Sequence, residues 1–476
     1  MPNRSPLSVM AAMVRERRIS PTELVDAHFR QIAKHNPQIN AFVLLLEDEA
    51  HDAAHQAEAA IMRGDATGPL HGVPLTVKDS FDMAGLATLC GSKFRLGHRA
   101  PADAAAVARM RGAGAIVLGK TNCPEFLSNY ESDNYITGRT NNPWNLERTP
   151  GGSSGGEAAA IAAFFSAGGI GSDGGGSVRI PAHFCGIAGL KPTPGRVSAA
   201  GHFPVIGHPG GLLGVAGPMA RTANDVRLLF SVLAGYDSQD PFSAPVPLRE
   251  PGIENLRIGL MEQFYEVPVE PETREVVRKA ALMIEKIGFK VEPFRPRGLE
   301  RAPNLWWFFF GQLPARLTKQ LFEGREQDAH WTGTEFLAAS LEQPEPSAND
   351  VLMNLAVRDR MRAALLREME SVPLILSPVC GVPAFRHRER KWKTDSRPIG
   401  LFEAMMPVTP WNLLGMPAVT IPFGMSADGL PIGVQLIGRP YEEELILEVA
   451  VRLEEARGVF PGPWGFGGEL PSDQHA

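Results

Sequence analysis

The chain reads Gly151-Gly152-Ser153-Ser154-Gly155-Gly156 and then Gly174-Gly175-Gly176-Ser177, two glycine-flanked serine segments separated by the alanine-rich apolar run 157–165. Glycines beside a serine permit positive φ and let backbone N–H groups come close to a ligand. A serine in that setting can attack a carbonyl carbon while neighbouring N–H groups stabilise the developing oxyanion. The two segments predict a serine hydrolase, since a flexible glycine–serine linker would not enclose a helix-forming apolar run.

Such a serine needs a base, because its hydroxyl is a weak nucleophile until its proton is removed. Lys78 directly follows the apolar, β-branched run 73–77. A lysine at the end of a buried strand loses hydration, and its amine can then be neutral and act as a base. Lys78 is therefore the predicted base, rather than an ordinary surface lysine.

Around these segments the chain resembles the amidase signature hydrolases, a family that uses a Ser–cis-Ser–Lys triad. The resemblance covers residues 8–240 and 405–455. It departs at Gly174, where relatives usually carry threonine or isoleucine; the change is expected to loosen the loop without altering the assignment. The matching strings are Gly72–Pro74, Thr149–Gly156, Gly174–Pro181, Phe184–Gly186, Gly189–Thr193 and Gly429–Gly438.

The resemblance implies a role for each member of the triad. Ser177 is the expected nucleophile, and Ser153, after a cis Gly152–Ser153 peptide bond, is expected to pass the proton to a neutral Lys78. It also implies an oxyanion hole and a set of supporting and substrate-binding residues. The expected oxyanion donors are the N–H groups of Gly174, Gly175, Gly176 and Ser177; the supporting residues are Ser154, Asp173 and Arg179; the substrate loop is Leu127, Ser128, Asn129 and Tyr130.

The expected activity is cleavage of the C–N bond of mostly apolar amides, aryl or medium-chain, through an acyl-enzyme, with ester and carbamate activity beside it. A urethanase or esterase on the same triad is an alternative. The family also contains the glutaminase subunit of a tRNA amidotransferase, which is disfavoured by the region 201–204 and the aromatic run 306–310. A non-enzymatic binding protein is the alternative from another class.

Composition excludes several classes of protein. With 44% hydrophobic and 21% charged residues the chain is globular, and a net charge of −6 argues against nucleic acid as a partner. Four scattered cysteines without a CxxC pair are expected to be buried, reduced thiols of a cytoplasmic protein. No apolar stretch is long enough to span a membrane. We expect a monomer or homodimer that takes a small-molecule amide or carbamate and needs no metal or cofactor.

The order of patterns predicts a single-domain α/β protein over 1–476, with a mixed, mostly parallel central sheet flanked by helices. Within it we expect N-terminal helices (1–66), a catalytic core (67–236), a variable substrate-covering region (237–400), a return to the core (401–466) and a polar tail (467–476). The variable region contains Trp306-Trp307-Phe308-Phe309-Phe310. Five consecutive aromatics cannot share one face of a helix, so this run is either buried all round or forms a pocket wall.

Three other motifs match by letters alone. Residues 114–121 fit GxxxxGK[ST], but the intervening Ala-Ile-Val-Leu indicates a buried strand rather than a phosphate loop. Residues 151–155 fit the GxSxG elbow, yet no strand leads into them. His51 and His55 have a metal-binding spacing but no third ligand, and a solvated helix face is the better interpretation.

Overall fold

The computed structural model describes residues 2–207, 213–463 and 465; the predicted tail, 467–476, lies outside the described residues. None of the described helices is long and apolar enough to cross a membrane. The helices are α1 Leu7–Arg15, α2 Pro21–Ile39, α3 Glu47–Arg63, α4 Ala105–Gly112, α5 Gly155–Ala162, α6 Arg179–Cys185, α7 Ala223–Leu233, α8 Pro271–Lys286, α9 Ala302–Trp307, α10 Ala315–Phe322, α11 Trp331–Leu341, α12 Ala348–Glu368, α13 Leu401–Ala404, α14 Thr409–Leu413 and α15 Glu443–Arg457.

The strands form one large sheet of eleven strands, in the order β1-β3-β2-β4-β6-β5-β12-β13-β9-β7-β8, and a separate pair, β10 with β11. Their bounds are β1 Phe42–Leu45, β2 Pro74–Lys78, β3 Ile116–Thr121, β4 Gly168–Asp173, β5 Ala188–Lys191, β6 Val215–Ala220, β7 Arg257–Leu260, β8 Lys290–Pro293, β9 Leu374–Pro378, β10 Lys391–Trp392, β11 Ile399–Gly400, β12 Ala418–Met425 and β13 Pro431–Ile437.

The predicted α/β class, with one mixed sheet flanked by helices, is confirmed. Parallel pairing is confined to two blocks, β3-β2-β4 and β9-β7-β8, while the six other neighbouring pairs of the described sheet are antiparallel. Antiparallel neighbours need no crossover helix. Strands β12 and β13, for example, are joined by the short turn 426–430, in which Gly429 takes a φ of 73°. The helix–strand alternation in the sequence indicates the parallel blocks but not these hairpins.

Two helix ends show ordinary capping interactions. Ser20 caps α2 in a reciprocal capping box with Glu23, and Gly64 ends α3 with a φ of 82°. Strand β3 contains the last six of the eight GxxxxGK[ST] residues, so the lysine of that motif, Lys120, lies inside a buried strand rather than at a phosphate loop. Its Nζ lies 2.8 Å from Asp79 Oδ1.

The sheet places the two serine segments beside Lys78. Strands β2 and β4 are parallel neighbours, so their carboxyl ends meet at the same edge of the sheet. Lys78 is the last residue of β2, and β4 ends at Asp173, directly before Gly174. Helix α5, which begins after Ser154, contacts β2 and β4.

The aromatic run forms a second hydrophobic core, between the variable region and the sheet. Trp306 and Phe309 are 2% and 1% exposed and pack with side chains of α12 and α14, whereas Trp307, Phe308 and Phe310 are half-buried. Residues 308–312 continue α9 as a π-helical turn. Both expected roles of the run are therefore present, because its inner rings are core and part of its outer surface faces a cavity described below.

Candidate active site

The amine of Lys78 is buried among three serine hydroxyls. Its Nζ lies 2.7 Å from Ser153 Oγ, 2.9 Å from Ser154 Oγ and 3.0 Å from Ser172 Oγ. In the described part of the chain Lys78 forms no ion pair with a carboxylate. Hydroxyls can bond to either form of the amine, but they do not repay the lost hydration of an ammonium as an ion pair would.

Burial accordingly lowers the pKa of Lys78 from 10.5 to about 8. A neutral amine has two N–H groups and one lone pair, so it can donate to two hydroxyls and accept a proton from the third. Lys120, on the neighbouring strand, is equally buried but is paired with the Asp79 carboxylate. Of these two lysines, the surroundings favour a neutral amine at Lys78.

Ser153 and Ser154 connect the lysine to the second serine segment. The Gly152–Ser153 peptide bond is cis, as the resemblance implies. The Ser154 N–H donates to the Ser177 carbonyl at 3.2 Å, which joins the start of α5 to the loop after β4. Gly152 allows the loop 127–130 to pass closely, because a Cβ there would lie only 2.4 Å from the Asn129 carbonyl oxygen.

A buried ion pair fixes the loop that carries Ser177. The Arg179 guanidinium bonds to both oxygens of Asp173 at 3.0 Å, and both side chains are excluded from solvent. Burial raises the pKa of Asp173, but the charge of Arg179 outweighs it and holds that pKa well below its usual range. The carboxylate therefore stays ionised and accepts the N–H of Val178 at 3.2 Å.

The predicted oxyanion hole needs one correction. The Gly176 N–H donates to Asp173 Oδ1 at 2.7 Å, so it is already engaged and does not face a substrate. The reason is the positive φ of Gly176, 108°, which folds the loop back over the carboxylate. For the N–H groups of Gly174, Gly175 and Ser177, no acceptor is found among the described residues.

Gly174 does not leave the loop loose, contrary to expectation. A Cβ at Gly174 would lie 2.7 Å from Phe310 Cε2, and one at Gly175 would lie 2.3 Å from Trp306 Cζ2. Aromatic rings from α9 and its π-helical extension therefore occupy the space beside both glycines. Gly174 is the residue that allows Phe310 to approach.

A cavity of about 410 Å³ opens in front of Ser177. All four residues of the predicted substrate loop line it: Leu127, Ser128, Asn129 and Tyr130. Much of the remaining lining is aromatic or apolar: Trp306, Trp307, Phe310, Phe336, Leu401, Phe402 and Met405. The structure thus brings the two predicted pocket elements to the same cavity as Ser177 and Gly175.

Arg390 and Glu335, two of the three charged residues that line this cavity, are paired with each other, whereas Glu342 forms no ion pair among the described residues. Arg390 bonds to Glu335 at 2.8 and 2.9 Å and to Glu131 at 2.7 Å. Asn129 donates to Glu335 at 2.9 Å. The guanidinium is thus engaged by protein carboxylates. A ligand in this cavity would therefore make mainly apolar contacts.

Sequence reasoning missed several polar residues that hold the site. Ser172 contacts Lys78, and Asn412 donates to Asp173 Oδ1 at 2.9 Å. Glu157 accepts the hydroxyls of Thr76 and Thr121 at 2.5 and 2.6 Å. A partial signal was present, because the polar residues Thr76 and Lys78 lie two apart in a buried strand and therefore require polar partners on the same face. Asn412 carried no such signal, because it lies far from the site in sequence.

The predicted interpretation of His51 and His55 agrees with the geometry, since His51 Nε2 bonds to Asp26 at 2.9 Å on the helix surface. Among the described residues, no group of three or more His, Cys, Asp or Glu side chains is arranged to hold a metal ion. All four cysteines are free and buried, as expected: Cys90, Cys123, Cys185 and Cys380.

The pH dependence of turnover should follow the Lys78 amine. A base works only when deprotonated, so kcat/KM is expected to fall about tenfold per pH unit well below pH 8 and to level off above it. The nearby carboxylates of Asp173 and Glu157 oppose this lowering of the Lys78 pKa, and burial raises the pKa of Glu157 to about 7. Rates measured from pH 6 to 10 on a stable enzyme test this, and a steady fall with rising pH would contradict a lysine base.

Comparisons with known proteins give the family of the chain. The Amidase family model matches residues 23–447. A glutamyl-tRNA(Gln) amidotransferase subunit from Heliobacterium modesticaldum is 33% identical over 471 residues, 92% of this chain and 94% of that one. The structure of 6-aminohexanoate cyclic dimer hydrolase complexed with substrate is 31% identical, with a TM-score of 0.83 over 95% of this chain and 97% of that one. A bacterial aryl acylamidase of the amidase signature enzymes is 27% identical, with a TM-score of 0.84 over 97% and 96% of the two chains. On the family match, this sequence likeness and the shared fold, the chain belongs to the amidase family of hydrolases.

Proposed function

We propose that this protein is a serine amidohydrolase in which Ser177 attacks the amide carbonyl carbon. Its proton passes through the Ser153 hydroxyl to the neutral amine of Lys78. The observation that carries the proposal is the 2.7 Å contact between Lys78 Nζ and Ser153 Oγ in a buried site where the lysine has no carboxylate partner among the described residues. A neutral amine there is a base strong enough to accept a serine proton.

The reaction then proceeds in two halves. The tetrahedral intermediate carries its negative charge on the former carbonyl oxygen, and the N–H groups of Gly174, Gly175 and Ser177, which have no protein acceptor among the described residues, are the proposed donors to it. As the C–N bond breaks, the Lys78 ammonium returns the proton through Ser153 to the leaving amine. Water then attacks the acyl-Ser177 ester, again losing its proton towards Lys78, and releases the acid and the free serine.

The cavity supports an apolar acyl or aryl group as the part of the substrate that is recognised. Aromatic and methionine side chains dominate its wall and accept flat or irregular apolar groups. Such a wall discriminates weakly, by about 1–3 kcal/mol for a methylene-sized difference. Esters and carbamates pass through the same tetrahedral geometry, so we include both as secondary substrates.

A second candidate is glutamine hydrolysis, favoured by the 33% identity to a protein of the glutamyl-tRNA(Gln) amidotransferase. Glutamine brings an ammonium and a carboxylate into the site, and each needs a charged partner when water is excluded. At the described cavity Arg390 is held by Glu131 and Glu335, so binding a substrate carboxylate would break existing ion pairs. Because of this pairing and the aromatic wall, we consider glutamine a less favoured substrate than an apolar amide.

A substrate panel separates the two candidates. We expect kcat/KM for an anilide such as 4-nitroacetanilide to exceed that for L-glutamine by at least about tenfold, because the wall buries the ring, while the one cationic residue at the described cavity is already engaged and leaves the glutamine carboxylate without a free partner. An aryl ester and a phenyl carbamate should be turned over measurably. The assay is product release by purified enzyme, with the Ser177→Ala variant as the blank. Turnover of glutamine without turnover of the anilide would reject the proposed substrate class.

A further inference from the structure

We infer that Trp306 is a positioning residue for the oxyanion site, an inference that rests on the acyl-transfer function proposed above. The indole N–H of Trp306 donates to the Gly174 carbonyl at 2.8 Å. Trp306 belongs to α9, in the variable region, outside the segments whose sequence resembles the family. A residue of the substrate wall thereby sets the direction of a backbone donor used in the reaction.

The planarity of the peptide group links this bond to the reacting atoms. In a trans peptide group the C=O of one residue and the N–H of the next lie in one plane and point in opposite directions. Holding the Gly174 carbonyl therefore fixes the direction of the Gly175 N–H. That N–H has no protein acceptor among the described residues, and Gly175 lines the cavity beside Ser177.

The next peptide group of the loop is held differently. The Tyr130 hydroxyl donates to the Gly175 carbonyl at 2.8 Å, and the N–H of the same peptide group, on Gly176, donates to Asp173 at 2.7 Å. Both ends of that group are thus bonded to protein, and it serves to anchor the loop. The Gly174–Gly175 group is held by Trp306 at its carbonyl end, which leaves its N–H for a ligand.

Packing keeps the indole in place. Trp306 is 2% exposed and stacks on Phe310, with ring centroids 4.8 Å apart and an interplanar angle of 17°. The two glycines leave room for these rings, since a Cβ at either position would come within 2.7 Å of one of them. A rigid donor held in this way resists rotation of the Gly174–Gly175 peptide group as charge develops.

Trp306→Phe tests the inference, because it keeps an aromatic ring in the wall and removes the N–H donor. We expect kcat to fall about tenfold with little change in KM, since one neutral hydrogen bond that orients the donor is lost. This is less than the roughly 10²–10³-fold cost of removing an oxyanion donor itself. Phenylboronic acid, which forms a tetrahedral adduct on a serine hydroxyl, should bind about tenfold more weakly, in parallel with kcat/KM.

Trp307→Phe is the matched control, the same exchange one residue along the chain. Trp307 lines the same cavity, but its indole makes no hydrogen bond to the loop in the described structure. We expect Trp307→Phe to change KM rather than kcat, and to change the affinities for the boronate and for the substrate by a similar factor. If Trp306→Phe keeps the wild-type kcat and boronate affinity, or behaves like Trp307→Phe, the inference is wrong.

Failure of the proposed function gives a different result. In that case the wild-type protein itself neither hydrolyses amides nor reacts with a fluorophosphonate at Ser177. An active, labelled wild type with an unaffected Trp306→Phe variant would instead reject the positioning role alone. Fluorophosphonate labelling of the Trp306→Phe variant, together with its melting temperature, shows whether the site has remained folded.

Discussion

Ser177→Ala is expected to lower kcat by about 10³-fold or more, the loss typical of a removed triad nucleophile. Ser177 lines the cavity, and the fold around it is held by the Asp173–Arg179 ion pair rather than by its hydroxyl. The variant should therefore keep the wild-type melting temperature. Steady-state rates on the best substrate of the panel, with the melting curve of the same sample, provide the measurement.

Ser231→Ala is the control for this substitution, because Ser231 is exposed on α7 and its hydroxyl bonds within its own helix. It should retain wild-type rates. A folded Ser177→Ala variant that kept even a tenth of wild-type activity would remove Ser177 from the mechanism.

Lys78→Met and Ser153→Ala should each be severely impaired, by about 10²-fold or more, and the double variant should be little worse than the poorer single variant. Groups that work as one proton relay are not additive, since losing either one interrupts the same path. Methionine keeps most of the length of the lysine side chain, so the buried site is not left empty. The measurement is a double-mutant cycle on kcat/KM.

The same cycle between Lys78→Met and Ser231→Ala should show no coupling, because these side chains share no contact. If the Lys78 and Ser153 losses simply multiplied, the two residues would act independently and the relay would be wrong. A Lys78→Met pH profile that still rose and levelled off near pH 8 would equally contradict a lysine base, since that variant has no amine to deprotonate.

Local sequence signals predicted much of the site. A β-branched run indicated the buried strand that ends at Lys78, and the glycine-flanked serines marked the loop and the helix start that meet it. These features depend on neighbours in sequence, such as the ability of Gly176 to take a positive φ. The family resemblance supplied the loop 127–130, which the structure places at the cavity.

Features that depend on distant contacts were not predicted. The Gly176 N–H donates to Asp173 and is therefore not available as an oxyanion donor, contrary to expectation. This bond depends on how the loop folds in space. The bond from Trp306 to Gly174 joins residues far apart in sequence, and aromatic residues alone gave no sign of it. Sheet order has the same origin, because a strand such as β13 pairs with β9 and β12 according to the tertiary fold.

The central claim is that Ser177 becomes acylated during turnover, and trapping that intermediate tests it most directly. The enzyme is mixed with an aryl ester whose acyl-enzyme is hydrolysed slowly, and the reaction is quenched at low pH during steady state. The protein is then digested and analysed by peptide mass spectrometry. The account predicts one acyl group per chain, on the peptide at Ser177, absent from the Ser177→Ala variant. Steady turnover with no acylated peptide, or with the acyl group on Ser153, would contradict it.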